Sequence, residues 1–209
     1  MIATHDSFTY QRPTNILHHL ISIFWRCQKV DIDKQYDLGT RIFDVRVASC
    51  KDKKTRKIKW QTAHGIVRFP LKFDTIESIC ELFHNKYPGS VIRIFLEDSK
   101  EVPEIREEYL KQCDEAFEKH KDIIWDMGTH FPWKSYHLMK AYDIKEYYCH
   151  LFNWNPDRSI KDNLKLMDWS SWSLPSFAKK HNPVITKEMT EDPKTMHILD
   201  YIGIYPKCL

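Results

Sequence analysis

The feature of this sequence that most constrains its fold is a regular alternation of short apolar runs with amphipathic, helix-like segments. Residues 40–49, 58–63 and 90–98 are rich in β-branched and apolar side chains, which is typical of strands. Residues 15–28, 74–87 and 102–120 instead place apolar side chains at helical spacing. Strands that alternate with helices favour a parallel sheet, because parallel neighbours need a long crossover connection. The sequence therefore predicts an α/β fold, either a (β/α) TIM-type barrel or a doubly wound sheet.

The second half of the chain continues this pattern less clearly. Residues 123–126, 144–154 and 196–203 are further predicted strands, whereas residues 128–193 are rich in Trp, His and Pro and show a blurred periodicity. Because 209 residues is short for a (β/α) barrel, a barrel built by this chain is expected to be short or incompletely closed.

Two of the predicted helices carry specific expectations. The helix over 74–87 has the clearest start, since Asp74 is a candidate N-cap and Glu77, three residues later, would complete a capping box. The helix over 15–28 has a broad apolar face, which we expect to pack on the sheet.

Composition limits the class of protein and its partners. With 209 residues, 42% hydrophobic and 29% charged, the chain can bury a core, and we expect one domain over residues 1–209. The 32 basic residues against 29 acidic ones are too balanced to indicate nucleic acid as a partner. The six cysteines lack CxxC spacing, which indicates neither a zinc site nor a disulfide framework. No signal-peptide pattern or membrane-length apolar run is present in the sequence as written, so we expect a cytoplasmic location and leave the oligomeric state open.

Polar side chains cluster where three of the predicted strands end. His5 and Asp6 come near the start of the chain, Asp44 and Arg46 lie two residues apart on one strand, and His64 follows the next. In parallel α/β folds the carboxyl ends of the strands carry the functional site, so these clusters are expected to converge. Two histidines, an arginine and carboxylates suit phosphoryl chemistry: one imidazole accepts a proton, the other donates one, and a guanidinium offsets negative charge.

Four motifs, in this order, resemble a known family. THDS (4–7), LGTRIFDVRV (38–47), AHG (63–65) and PGSVIRIFLED (88–98) are similar to the X domain of phosphatidylinositol-specific phospholipases C, and most similar to its bacterial, metal-independent branch. Each motif is weak alone, but four in the right order are fairly specific, and the resemblance covers residues 3–98. It implies a (β/α) barrel and a reaction in which an inositol 2-hydroxyl attacks the phosphodiester, giving a cyclic inositol phosphate and diacylglycerol.

The resemblance also implies roles for individual residues. His5 matches the general base and His64 the general acid, and Asp6 matches the carboxylate that partners the acid. Arg46 matches the arginine that stands where animal enzymes hold calcium. The segment HILDYIG (197–203) resembles the late strand that supplies a carboxylate to the base, which makes Asp200 the candidate.

Two further residues are expected to contact substrate, and they bear on metal use. Asp44 matches the acidic residue beside the arginine, and Glu97 stands where bacterial members tend to have lysine and calcium-dependent relatives a glutamate ligand. We expect no cofactor, because Arg46 in the same pocket would oppose a divalent cation, although a cation at Asp44 and Glu97 is a minority alternative.

The leading hypothesis is thus a metal-independent phosphodiesterase that acts on a phospholipid or inositol phosphodiester, with a membrane surface as its transient partner. One alternative is a metal-dependent enzyme like the glycerophosphodiester phosphodiesterases, which share the barrel but use HRG-like and E-x-D motifs. The other is a degenerate, non-catalytic domain that binds phosphoinositides or a protein partner, suggested by the three residues ahead of THDS and the unfamiliar second half.

Overall fold

The computed structural model describes residues 2–21, 25–97, 102–128, 146–150, 178–179 and 195–200. Its helices and strands are, in chain order, β1 (Ile2–Thr4), α1 (Ile16–Ile21), α2 (Ile32–Asp37), β2 (Thr40–Lys51), β3 (Ile58–His64), β4 (Val67–Phe73), α3 (Ile76–Lys86), β5 (Val91–Leu96), α4 (Pro103–Lys119), β6 (Ile124–Gly128), β7 (Glu146–His150) and β8 (Thr195–Leu199). All eight strands belong to one sheet.

The sheet is parallel apart from one hairpin. Six strands run side by side in the order β6-β5-β2-β1-β8-β7, and each neighbouring pair is parallel. The antiparallel strands β3 and β4 are added at the carboxyl end of β2. The predicted mixed α/β fold with a parallel sheet is confirmed. In the part of the chain that the structure describes the sheet is open, with β6 and β7 at its edges, so closure into a barrel remains a prediction, as does the single domain.

Strand β2 organises the sheet because it has three neighbours. Residues 42–47 pair with β5, and Val47 is paired with Leu96 of β5 and with Thr62 of β3 at the same time. Strand β3 therefore lies on the edge of β2 opposite to β5, which is the edge that β1 occupies further back, up to Phe43. Between Phe43 and Val47 this edge is bordered by the end of β1 on one side and by β3 on the other.

The alternation of side chains along the strands separates apolar core from polar groups. Phe43 and Val45 of β2 and Ile92 and Ile94 of β5 belong to one buried cluster with apolar residues of α3 and α4. The intervening side chains of both strands point to the other face of the sheet. That face receives a buried set of charged residues, Asp44, Arg46 and Arg93.

The first predicted helix is wrong in extent, and its first turn does not pack as predicted. Helix α1 ends at Ile21 rather than residue 28, and residues 25–28 are not helical. Ile16 and Leu17 are 80% and 66% exposed, so this part of the apolar face does not pack on the sheet. Helical periodicity by itself cannot show whether an apolar face has a partner, and here the first turn has none among the described residues.

Other elements differ from prediction in smaller ways. Thr75, not Asp74, caps α3, because its hydroxyl accepts from the Ser78 amide at 3.2 Å. Asp74 instead pairs with Lys59 at 2.8 Å. Helix α2 and strand β4 were not predicted, whereas the three late strands exist as β6, β7 and β8 with different bounds. Among the described residues no helix is both long and apolar enough to cross a membrane.

Candidate active site

The candidate base, His5, is held in place from both sides of its strand. Strand β1 has only three residues, but it pairs with β2 and with β8, and the His5 amide donates to the Leu199 carbonyl at 3.1 Å. The buried Gln28 amide group donates to the carbonyls of both His5 and Leu199, at 3.0 and 2.9 Å. A short strand therefore still fixes the backbone of His5, because hydrogen bonds reach it from several elements.

The imidazole of His5 has a carboxylate partner. Its Nδ1 lies 2.8 Å from Oδ1 of Asp200, and both residues are buried. Because β1 and β8 run parallel with Thr4 opposite Leu199, the residues that follow them, His5 and Asp200, leave the sheet side by side. A carboxylate at this distance favours the tautomer that carries hydrogen on Nδ1 and the lone pair on Nε2.

The candidate acid, His64, lies at the end of β3 and faces His5. The two ring centroids are 5.3 Å apart and the rings are nearly perpendicular. Its Nδ1 is 2.8 Å from the carbonyl oxygen of Trp25, 3.3 Å from Sγ of Cys27 and 3.5 Å from Oδ2 of Asp6. Burial, and then the nearby charges of Arg46 and His5, lower the pKa of His64 to about 4, so the isolated site holds this imidazole neutral at pH 7.

Asp6 occupies a position that is costly for a carboxylate. Its backbone is in the left-handed region, with φ of 40°, and its amide donates to Oδ2 of Asp44 at 3.1 Å. Its side chain is fully buried, and neither carboxyl oxygen has a hydrogen-bond partner among the described residues. Burial raises the pKa of Asp6 well above its ordinary value, although the Arg46 guanidinium acts in the opposite direction.

Arg46 joins the carboxylates of the site into one network. Its Nε donates to Oδ2 of Asp44 at 2.8 Å, and its Nη1 donates to Oε1 of Glu97. The other oxygen of Asp44 accepts from Arg93 at 2.7 Å, and the other oxygen of Glu97 accepts from the Gly65 amide at 3.0 Å. This network fixes the guanidinium plane beside the two histidines.

The ion pairs keep two of these carboxylates charged. Burial alone would raise the pKa of Asp44, but the guanidinium groups of Arg46 and Arg93 outweigh burial and hold that pKa well below its usual range. Burial also opposes ionisation of Glu97, and Arg46 again lowers its pKa below the ordinary value. Both side chains are therefore anionic at neutral pH.

The structure thus brings together all seven side chains that the sequence singled out. They are His5, Asp6, Asp44, Arg46, His64, Glu97 and Asp200. The network contains the buried carboxyl groups of Asp6, Asp44 and Asp200, the mostly buried one of Glu97, and the guanidinium groups of Arg46 and Arg93. When all are ionised, the described part of the site carries more negative than positive charge.

Sequence reasoning missed several residues of this site. Arg93 had a local signal, since a charged residue in the middle of the apolar run VIRIF needs a buried partner. Trp25, Cys27 and Gln28 had none, because the segment was interpreted as the end of a helix. They reach His5 and His64 only because residues 25–28, which are not helical, lie at the carboxyl end of β1.

Comparisons with known proteins point to one structural class. The fold is similar to a solved phosphatidylinositol-specific phospholipase C of Listeria monocytogenes, with a TM-score of 0.57, 12% identity, and 98% of this chain and 89% of that chain covered. It is also similar to two structures of the Staphylococcus aureus enzyme. One, from a study of its membrane binding, has a TM-score of 0.54 and 18% identity, and the other, containing pentafluoro-Phe, 0.56 and 15%; both cover 96% of this chain and 85% of that chain.

These likenesses are likenesses of fold. No protein-family model and no curated protein matches the sequence. The resemblance that the four motifs predicted over residues 3–98 is therefore confirmed at the level of the fold, and over most of the chain. A likeness of fold does not determine the reaction or the substrate.

Proposed function

We propose that this chain is a phosphodiesterase of the phosphatidylinositol-specific phospholipase C type. The observation that carries the proposal is the pair of imidazoles, His5 and His64, whose centroids lie 5.3 Å apart beside Arg46. Each histidine has its own Nδ1 acceptor, Asp200 for His5 and the Trp25 carbonyl for His64. Two imidazoles with fixed tautomers and an adjacent guanidinium suit transfer of a proton at each end of a phosphodiester.

In the proposed reaction His5 acts as the base. Its Nε2 accepts the proton of the inositol 2-hydroxyl as that oxygen attacks phosphorus, and Asp200 stabilises the imidazolium that forms. The bond from phosphorus to the diacylglycerol oxygen breaks, and His64 donates a proton to the leaving alkoxide. The products are a cyclic inositol phosphate and diacylglycerol, and a later proton exchange restores both histidines.

His64 can serve as the acid only when it is protonated. Its low pKa reflects burial and the positive charge of Arg46, and a bound phosphodiester anion opposes both effects by placing negative charge beside the ring. Substrate binding is therefore expected to raise the pKa of His64. The same anion is stabilised by Arg46, which the paired carboxylates Asp44 and Glu97 hold in position.

The substrate is proposed to be a lipid presented at a membrane surface. Ile16, Leu17 and Ile66 are 80%, 66% and 56% exposed, and the two segments that carry them are joined by a hydrogen bond of 2.9 Å from the Thr14 amide to the Arg68 carbonyl. Ile66 is two residues from His64 and therefore lies at the edge of the site, and we propose that Ile16 and Leu17 extend this apolar edge. Transfer of exposed apolar side chains from water into a lipid interface is favourable.

The reaction is proposed to need no divalent cation. A cation held by Asp44 and Glu97 would have to displace Arg46, which donates to both carboxylates. Activity is therefore expected to persist in excess EDTA. Loss of activity on chelation, restored by calcium or magnesium, would instead support a metal-dependent phosphodiesterase.

Phosphorus NMR on phosphatidylinositol vesicles tests the proposal. The wild-type protein is expected to generate the resonance of a cyclic phosphodiester, whereas His5→Ala and His64→Ala give none while keeping the wild-type circular dichroism spectrum. His84→Ala removes an exposed histidine of α3 and should cleave like the wild type. Turnover by either active-site variant would contradict the two-histidine mechanism, and a wild-type protein that binds vesicles without cleavage would support a non-catalytic binding domain.

A further inference from the structure

A cysteine that has no part in the proposed reaction lies against both histidines. Cys27 is fully buried, and its Sγ is 3.3 Å from Nδ1 of His64. One sulfur and one ring nitrogen from each of His5 and His64 all lie within 4.8 Å of one another. The three residues are far apart in the sequence, so no ligand spacing could have revealed this group.

We propose that His5, Cys27 and His64 form a binding site for a soft divalent transition-metal ion of the Zn²⁺ class, and that the bound ion inhibits the enzyme. Two imidazoles and one thiolate are a donor set that such ions prefer, whereas calcium and magnesium prefer oxygen. The inhibition rests on the proposed function, but the binding does not.

The spacing of the donor atoms fits one small ion. Tetrahedral coordination with zinc–sulfur and zinc–nitrogen bonds of about 2.3 and 2.1 Å places donor atoms roughly 3.4–3.6 Å from one another. A group spanning at most 4.8 Å needs to contract by only about 1 Å to reach that geometry. Three protein ligands leave a fourth position for water, the arrangement typical of exchangeable rather than purely structural zinc sites.

The group behind His5 is one that supports a metal ligand. Nδ1 of His5 contacts the Asp200 carboxylate at 2.8 Å, which leaves Nε2 as the nitrogen for the metal. Metal-binding histidines commonly donate their second N–H to a carboxylate or a backbone carbonyl, which orients the ring and directs the lone pair of the other nitrogen to the metal.

The charge around the group also favours a cation. Three buried carboxyl groups and the mostly buried Glu97 face two guanidinium groups, and the carboxyl oxygens of Asp6 have no hydrogen-bond partner among the residues described. One of them lies 3.5 Å from Nδ1 of His64, so this carboxyl group is next to a proposed ligand. Cys27 would release its thiol proton on binding. The resulting thiolate and the excess carboxylate would together offset the positive charge of the ion.

Binding of this ion would stop the proposed reaction for a simple reason. The lone pair of His5 that accepts the hydroxyl proton is the lone pair that coordinates the metal, so the two uses exclude each other. Zinc is therefore expected to act as a reversible inhibitor that a chelator removes.

Cobalt titration of the reduced, EDTA-treated full chain tests the binding directly. The wild-type protein is expected to bind one Co²⁺ with a thiolate-to-cobalt charge-transfer band and the visible bands of tetrahedral coordination, both abolished by one equivalent of Zn²⁺. Cys27→Ser should lose the charge-transfer band and bind Zn²⁺ at least tenfold more weakly by calorimetry. Cys50→Ser, which removes a half-buried cysteine of β2, should behave like the wild type and serves as the matched control.

Activity gives a second measurement. Zinc is expected to inhibit wild-type cleavage reversibly, and Cys27→Ser should need at least tenfold more zinc for the same fractional loss of its own activity. Absence of a thiolate band in the wild type, or an equal band in Cys27→Ser, overturns the proposed site. Cobalt binding by a protein that does not cleave phosphatidylinositol leaves the site intact and refutes the proposed function, whereas cleavage without metal binding does the reverse.

Discussion

At the scale of single residues, the buried carboxyl group of Asp6 lowers the stability of the fold. Its left-handed backbone aims the carboxyl group at His64, while its amide donates to Asp44. The carboxyl group is buried without a hydrogen-bond partner among the described residues, a cost that a purely structural residue would avoid. Strained and incompletely paired groups of this kind are characteristic of functional sites.

Asp6→Asn is expected to stabilise the fold at neutral pH. Because the folded pKa of Asp6 is raised, its ionised form is less stable in the folded protein than in the unfolded chain, so the fold loses stability as the pH rises from about 4 toward the folded pKa. Asparagine removes this charge and tolerates the left-handed backbone, so we expect a gain on the order of 1–3 kcal/mol at pH 7.

Urea unfolding of Asp6→Asn at several pH values measures this effect. The gain over wild type should shrink as the pH is lowered toward 4, while the exposed control Asp37→Asn should show little difference at any pH. A variant that is less stable than wild type at pH 7, or a gain that does not change with pH, would contradict the assignment.

Asp200 is interpreted as a positioning residue for His5, and Asp200→Asn tests that role. The amide keeps the size of the side chain but can present N–H to Nδ1, which favours the wrong tautomer of His5. We expect kcat to fall by about 10²–10⁴, with KM changed little. A proportional change in KM with kcat preserved would show that Asp200 binds substrate instead.

At the scale of elements, the turn between β3 and β4 fixes His64. Gly65 has φ of +54°, and its amide donates to Glu97 while its α-carbon faces the ring of Trp25. A Cβ at this position would lie 2.4 Å from Trp25, so the turn needs glycine for space as well as for conformation. Without a Cβ, Gly65 leaves room for the ring of Trp25, and the carbonyl oxygen of Trp25 contacts Nδ1 of His64.

Gly65→Ala is therefore expected to damage the site more than the fold. Gly89→Ala is the matched control, because Gly89 also has positive φ, of +73°, but nothing lies within 4 Å of its Cβ position. Both variants should lose about 1–2 kcal/mol of stability from backbone strain. Only Gly65→Ala should also lose most of its kcat/KM, and equal activities of the two variants would refute the role given to the Trp25 contact.

At the scale of the whole molecule, the apolar residues Ile16, Leu17 and Ile66 are exposed, and the segments that carry them are joined by the hydrogen bond between Thr14 and Arg68. The double variant Ile16→Ser, Leu17→Ser should bind phosphatidylinositol vesicles more weakly. Each substitution removes an apolar side chain whose burial in a lipid interface contributes roughly 1.5–3 kcal/mol to binding. Hydrolysis of a soluble, short-chain substrate should be unchanged.

An exposed apolar residue of α4 provides a matched control for this prediction. Leu110 is a 42% exposed apolar residue of α4, and Leu110→Ser should leave vesicle sedimentation at the wild-type level. Equal losses in the two proteins, or none in either, would contradict a membrane-facing edge at α1.

The sequence by itself determined the α/β class and seven of the eight charged or imidazole residues that the structure brings together at the candidate site, with Arg93 as the exception. Strand and helix periods are local properties, and the THDS motif places His5 and Asp6 at the carboxyl end of a parallel strand, where such sheets carry their sites. His64 of the AHG motif instead ends the antiparallel strand β3, which the sequence did not reveal. The same local reasoning misplaced the end of the first helix and the cap of α3, because a broad apolar face and a choice between Asp74 and Thr75 are resolved only by packing.

Only the tertiary structure decided what surrounds those seven residues. Trp25 and Cys27 contact His64, and Arg93 pairs with Asp44. The partners in each pair are far apart in the sequence, and no motif spacing links them. Strand β1 is in parallel register with β2 and β8, and a hairpin is added on β2. These pairings bring the distant segments together at the carboxyl end of the parallel strands. Local sequence specifies which chemical groups are available, but burial and strand pairing fix their distances and charges, and the chemistry depends on those.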